Sequence, residues 1–277
     1  MILAGFAMVG CGATASNAGK GDITVVSRED GSGTRGAFIE LTGVEEKDAA
    51  GNKTDKTTAD AVIANKTDVA MTNVENDGNA IGYISLGSLN DKVKAIKVNG
   101  VEATAENVKK GDYKLARPFN IATKGDPNEV SQDFINFILS KDGQKVVSET
   151  CITIDDKAPE FKTTKPSGKI TVAGSSSVTP TMEKLKEAYL KVNPNAEIEI
   201  QMSDSTAGMM AAMDGTCDIG MASRDLKDEE KSQLKATPIA LDGIAIIVNK
   251  DNPIKDISID MLKQIYTGAV KTWEDVK

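Results

Sequence analysis

Four times in this chain a β-rich run breaks into a short loop of serine, threonine and glycine that opens a helical pattern. The four junctions are Ile23–Thr34 (ITVVSREDGSGT), Val172–Pro180 (VAGSSSVTP), Glu197–Gly208 (EIEIQMSDSTAG) and Gly220–Leu226 (GMASRDL). A strand feeding a helix through a tight loop is the unit of α/β architecture, and in an open sheet such loops gather at the carboxyl ends of the strands, where ligands bind. The rest of the pattern agrees. Strands are expected at Ile23–Ser27, Ala80–Ser85, Val93–Val98, Phe119–Thr123, Ile170–Ala173, Glu197–Met202, Asp218–Ala222 and Ile244–Val248. A helix is expected over Thr179–Val192, with Thr179 as N-cap, Pro180 in the first turn and Met182, Leu185, Tyr189 and Val192 as one apolar stripe. A second is expected over Ser131–Ser148, carrying Phe134, Phe137, Ile138 and Val146 on one face. Glu45–Asp60 reads as a solvated loop or helix edge, Asp155–Gly168 as an exposed linker, and the Met209–Met213 stretch as core filling.

Composition narrows the chemistry. The 277 residues contain no histidine, which removes the Ser-His-Asp and Cys-His nucleophiles, the His-bearing zinc sites and the commonest general base. Aromatics are 4%, with Trp273 alone of its type, so stacking on sugars or bases has few candidates. A net charge of −8 speaks against nucleic acid as a partner, since such proteins show a basic face. No P-loop, paired acidic motif or metal-ligand spacing stands beside the loops, so neither a catalytic residue nor a metal or cofactor is assigned.

Hydroxyls, backbone amides and arginines remain, and they suit anion recognition. Free N–H groups at a helix start point outward, and the positive end of the macrodipole adds about half a charge. Gly31 and Gly33 let the backbone approach a ligand closely. Ser32, Thr34, Ser176, Ser177 and Ser205 supply neutral donors, and Arg28 offers a planar fork for a tetrahedral oxyanion. Asp30, two positions on, is expected to pair with that guanidinium and fix its orientation.

The apolar run Ile2–Gly10 is far shorter than the roughly 20 residues that span a bilayer. It ends at Cys11, ahead of small polar residues. A short apolar region of this kind reads as a secretory leader over residues 1–20, and the cysteine resembles the lipobox of bacterial lipoproteins. That implies a mature chain tethered through lipid on Cys11 to the outer face of the cytoplasmic membrane. Cys151 and Cys217 lack CxxC spacing and read as two small buried thiols, with a disulfide between them the alternative in an exported protein.

These residues resemble the phosphate-binding receptors of ABC phosphate importers, which have the type II periplasmic-binding-protein fold. Ser27–Thr34 resembles the family's Arg-x-Asp-Gly-Ser-Gly-Thr signature, and Val172–Pro180, Gln201–Gly208 and Asp218–Leu226 are similar to its three phosphate loops. Tyr266-Thr267-Gly268 with Trp273 resembles the segment preceding the hinge. The resemblance implies two α/β lobes, each a mixed sheet flanked by helices, with the ligand in the cleft between them. One lobe would combine residues 21–115 and 250–277, and the other would span 116–249. It implies phosphate held by Arg28, Ser32, Gly33 and Thr34 from one lobe and by Ser176, Ser177 and Ser205 from the other; to these the residues themselves add Ser223 and Arg224 as candidate ligands and Asp30 in support. It further implies a monomer that performs no reaction and delivers its anion to an ABC permease.

Two departures stand out. Family members usually begin with the strand that here starts near Lys169, so the order reads as a circular permutation, with Lys277 joining naturally onto Gly21 and Asp155–Gly168 connecting the usual termini. The family's third loop carries an aspartate that accepts a hydrogen bond from protonated phosphate, whereas this chain has Ser223-Arg224. Arg224 is then expected to add a second cation, and Asp204 or Asp30 to supply a carboxylate. Competing readings are a receptor for sulfate or molybdate, a phosphoryl-handling enzyme and a surface-adhesion module.

Overall fold

The computed structural model describes residues 18–155 and 157–276, so Cys11 and most of the expected leader lie outside the described residues. The chain opens with β1 (Thr24–Arg28), α1 (Gly33–Thr42), an exposed hairpin of β2 (Glu45–Lys47) and β3 (Lys53–Asp55), then β4 (Val62–Ala64), α2 (Thr67–Asn76) and β5 (Ala80–Ser85). It continues through β6 (Lys94–Ala95), β7 (Lys97–Val98), α3 (Ala105–Lys110), β8 (Ala116–Thr123), α4 (Glu129–Ile138) and α5 (Lys141–Val147). After an irregular stretch follow β9 (Gly168–Ser175), α6 (Thr179–Val192), β10 (Ala196–Ser203), α7 (Ser205–Asp214) and β11 (Ile219–Ala222). The last elements are α8 (Asp228–Lys231), β12 (Lys235–Val248), β13 (Asp256–Ile257) and α9 (Ile259–Tyr266).

One sheet path runs β10-β9-β11-β8-β12-β5-β1-β4, and β12 makes it continuous. Its first part, Lys235–Gly243, pairs antiparallel with β8, while Ile244–Val248 pairs antiparallel with β5. On one side of this shared strand β9 runs parallel to β10 and β11. On the other, β1 runs parallel to β4 and β5. The result is the expected α/β fold with a mixed sheet on each side, the β8–β12 pair crossing between them.

Each side has its own core. Phe38, Tyr83, Tyr266 and Trp273 anchor one, with Phe38 stacked on Tyr83 at 4.0 Å and edge-on to Tyr266 at 4.6 Å. Phe119, Phe134, Phe137 and Tyr189 anchor the other, together with Met182 and Leu185 of the expected α6 stripe. Val192 leaves that stripe and is exposed. Met209 fills core as expected, although Met210 faces solvent. Cys151 and Cys217 are free and buried, and burial pushes their thiols up to about 12 and about 11.

Several local expectations are corrected. The helix expected over Ser131–Ser148 is two helices, α4 and α5, because Ser140 caps the second, its Oγ accepting the Gly143 N–H at 3.2 Å. Thr179 is not the N-cap of α6. Val178 takes that place, and the Thr179 hydroxyl donates to the Ser175 carbonyl at 3.0 Å. The Val93–Val98 strand divides because β6 pairs with β12 whereas β7 pairs with β13. Glu45–Asp60 contains the β2–β3 hairpin, which local polarity concealed.

Candidate functional site: an anion cradle between the two sides of the sheet

Strand register sets three of the loops level. Ser175 of β9 is opposite Ser203 of β10, and Gly174 is opposite Met221 of β11. The three carboxyl ends therefore form one rim, presenting Ser176 and Ser177, then Asp204 and Ser205, then Ser223. Across from it, β1 ends at Arg28 and α1 starts at Gly33, capped by Ser32, whose Oγ accepts the Arg35 N–H at 3.3 Å. The N–H groups of Gly33 and Thr34 begin this helix with no acceptor one turn earlier, at the positive end of its dipole.

The two sides meet through side chains. Arg28 donates from Nη2 to Ser176 Oγ at 3.1 Å and from Nη1 to Thr67 Oγ1 at 3.3 Å. Thr34 Oγ1 lies 2.8 Å from Ser177 Oγ and 3.4 Å from Ser223 Oγ. Ser205 Oγ accepts the Ser223 N–H at 3.1 Å, and Ser175 Oγ donates to Ser223 Oγ at 3.0 Å. A backbone bond from Thr206 N–H to the Gly31 carbonyl at 3.1 Å closes the rim. Arg28, Ser32, Thr34, Ser176, Ser177, Ser205 and Ser223 are thus brought together and buried. The glycines act between the two sides. A Cβ on Gly33 would sit 2.4 Å from Ser205 Oγ and 2.8 Å from Ser223 Oγ, and one on Gly31 would sit 2.2 Å from Asp204 Oδ1.

Two expected roles are corrected by the geometry. Asp30 does not orient Arg28: its exposed carboxylate pairs with Arg35 Nη1 at 2.7 Å, while Glu29 grips Arg28 at 2.8 and 2.9 Å. Arg224 is not an open cation, because Glu230 holds its Nη1 and Nη2 at 2.7 and 2.8 Å. Burial acts to raise the Glu230 carboxyl, but the hydrogen bonds from Arg224 and the Lys227 N–H override it and leave its pKa below the ordinary value. Asp204 caps α7 with one carboxylate oxygen, Oδ1 accepting the Ala207 N–H at 2.8 Å.

Four contributors escape the sequence reading: Glu29, Thr67, Arg117 and Asp242. Arg117 on β8 stands opposite Asp242 on β12. Its Nη2 donates to Thr34 Oγ1 at 3.0 Å and lies 3.2 Å from Asp242 Oδ2. Burial pushes the Asp242 carboxyl up to about 6, with Arg117 opposing the shift. Burial also lowers the pKa of Arg117. The available signal was a charge inside each of two apolar runs, Leu115–Ala122 and Ile239–Val248, because such residues are seldom fully buried unless paired.

Chemically, the cradle offers hydroxyls, helix-start amides and guanidinium groups from opposite sides, a donor-rich enclosure suited to a small oxyanion. Among the described residues no group of three or more His, Cys, Asp or Glu is placed to hold a metal ion. A family model described as a PBP superfamily domain matches residues 14–142 and 160–277. The class is therefore that of the PBP superfamily, in keeping with the shared crossing strands and the cradle between them. The chain is 52% identical over 271 residues to Phosphate-binding protein PstS 2 of Streptococcus agalactiae, covering 97% of this chain and 92% of that one. Phosphate-binding protein PstS 2 of Streptococcus pneumoniae is 46% identical over 279 residues, with 99% and 96% covered. A crystal structure of a phosphate ABC transporter phosphate-binding protein from Streptococcus pneumoniae matches with a TM-score of 0.74 at 46% identity, covering 93% of this chain and 100% of that one. Within the superfamily, this chain belongs to the family of the PstS phosphate-binding proteins.

Proposed function

We propose that the protein captures inorganic phosphate for an ABC import system, by binding and release without a chemical step. The observation that carries this reading is the buried donor cradle in which Arg28 and Thr34 of one side touch Ser176 and Ser177 of the other. An anion lodged there contacts both sides at once, so it stabilises the closed arrangement by its differential affinity for it. In this reading the lobes are residues 21–115 with 250–277, and 116–249, with β8 and β12 as the crossing strands. Delivery to a permease requires an extracytoplasmic protein, and lipid on Cys11 is the proposed tether to the membrane, with the receptor acting as a monomer. The segment order is proposed to be a circular permutation, and the antiparallel bridge between Asp22 and Thr272 supports it by holding the two ends of the described chain side by side.

A melting scan tests the function. Phosphate at 100 times its Kd adds about 2.7 kcal/mol by mass action, which raises the melting temperature by roughly 5 to 10 °C for a chain of this size. Sulfate and molybdate at the same concentration serve as controls. No shift with phosphate alongside a clear shift with another anion would replace the ligand, and no shift with any of them would remove the receptor reading.

A further inference from the structure

Three arginines are buried around the cradle, and they are not equally satisfied. Arg28 holds Glu29 through two bonds at 2.8 and 2.9 Å, and Arg224 holds Glu230 through two at 2.7 and 2.8 Å. Arg117 is 3% exposed, yet only its Nη2 comes near its counter-charge, at 3.2 Å from Asp242 Oδ2 and without hydrogen-bond alignment. Its Nε and Nη1 are buried and have no hydrogen-bond partner among the described residues, although the guanidinium lies over the Phe119 ring, 5.5 Å from its centroid. A guanidinium withdrawn from water with unmet N–H groups carries a desolvation penalty that a charged acceptor would offset. The same guanidinium donates to Thr34 Oγ1 at 3.0 Å, and Thr34 belongs to the cradle through its contacts with Ser177 and Ser223.

We infer that Arg117 is a second charged ligand of the bound oxyanion and that Asp242 is the positioning residue behind it. The inference rests on the reading of the cradle as a phosphate site and adds to it a contact from the crossing strand β8 rather than from a loop. The planar fork suits two oxygens of a tetrahedral anion, and the open Nε and Nη1 donors are the groups left to meet them. Arg224, the cation expected from the loop after β11, is already engaged by Glu230. Arg117 differs from both Arg28 and Arg224 in having buried N–H groups left over.

The test compares the full chain with Arg117→Met, Arg117→Lys and the double variant Arg117→Met/Asp242→Asn, titrating inorganic phosphate by calorimetry and checking each fold by circular dichroism. A charged ligand predicts that Arg117→Met weakens binding about ten-fold or more and that the lysine variant recovers part of the loss. The double variant should stay as weak as Arg117→Met, because no charge is left to contact the anion. Wild-type affinity in the double variant would mean that Arg117 only neutralises Asp242, and it would overturn the inference while leaving the phosphate site standing. Failure of the wild-type chain to bind phosphate would instead remove the underlying reading. Should the variants not fold, the unaltered protein still decides. It has four arginines, and its 15N spectrum should show the Nε–H signals of both Arg28 and Arg117 moving on phosphate saturation. Movement of the Arg28 signal alone would sink the proposal.

Discussion

Arg28 closes a chain of contacts from the aromatic core to the cradle. Tyr83, stacked in that core, accepts the Arg28 backbone N–H at 3.2 Å and meets Ser27 Oγ at 2.9 Å, which fixes the end of β1. The Arg28 side chain then spans Glu29, Ala64, Thr67 and Ser176. Replacing it with alanine should weaken phosphate binding by about 2 kcal/mol or more, roughly 30-fold, since a charge-assisted bond contributes about 1.5–3 kcal/mol. Calorimetry reads this directly, and unchanged affinity would detach Arg28 from the anion. Asp242 gives a different signature. Its carboxyl titrates near 6 in the folded protein, above the ordinary 3.8. The folded state therefore holds the proton more tightly than the unfolded state, and this group's contribution to stability falls as pH rises from about 4 through 6. Asp242→Asn has no such proton. Its urea midpoint relative to the unsubstituted protein should accordingly move in favour of the asparagine form as pH rises across that window, and a constant difference would contradict the assignment.

The strand-to-helix junction is what places these side chains. At α1, Ser32 caps the helix and the first amides are left without a helical acceptor, while Gly33 lets the helix start lie against Ser205 and Ser223. Gly33→Ala should force the two sides apart. Overpacking of this kind costs about 1–3 kcal/mol, and phosphate affinity should fall by roughly ten-fold or more. Small-angle scattering with saturating phosphate should then show a larger radius for the variant than for the unsubstituted protein. An equally compact, equally tight variant would show that the close approach is dispensable. The junctions are legible in the order of residues because Ser, Thr and Gly mark strand-to-helix loops by local backbone chemistry. The break between α4 and α5 is not, because Ser140 competes as a cap inside a stripe of otherwise continuous periodicity.

For the molecule as a whole, the sheet and its ends matter most. β12 serves both sides, so the cores are joined by two antiparallel strands rather than by a flexible tether. At the chain ends, Ile23 N–H donates to the Lys271 carbonyl at 2.7 Å and Trp273 N–H to the Gly21 carbonyl at 2.9 Å. Joining Lys277 to Gly21 through a short linker and opening the chain within residues 155–168 should therefore yield a protein with the same fold and phosphate affinity. Circular dichroism and calorimetry check this. A linked protein that fails to fold would mean that the present connection at residues 155–168 is needed for more than continuity.

Order along the chain was enough to show an α/β fold, the four Ser/Thr/Gly loops and most of the buried hydroxyls, because hydrophobic period and turn chemistry are local properties. Partner choice was not legible in the order of residues. Glu29 rather than Asp30 holds Arg28, Glu230 occupies Arg224, and Arg117 reaches Thr34 from a strand 83 positions away. The first two join near neighbours and are set by side-chain placement in the loops, whereas the third depends on the register that sets β8 beside β12 and on the meeting of the two cores. Only the folded sheet, with Arg117 set opposite Asp242 at the crossing, decides which guanidinium is left with unsatisfied donors.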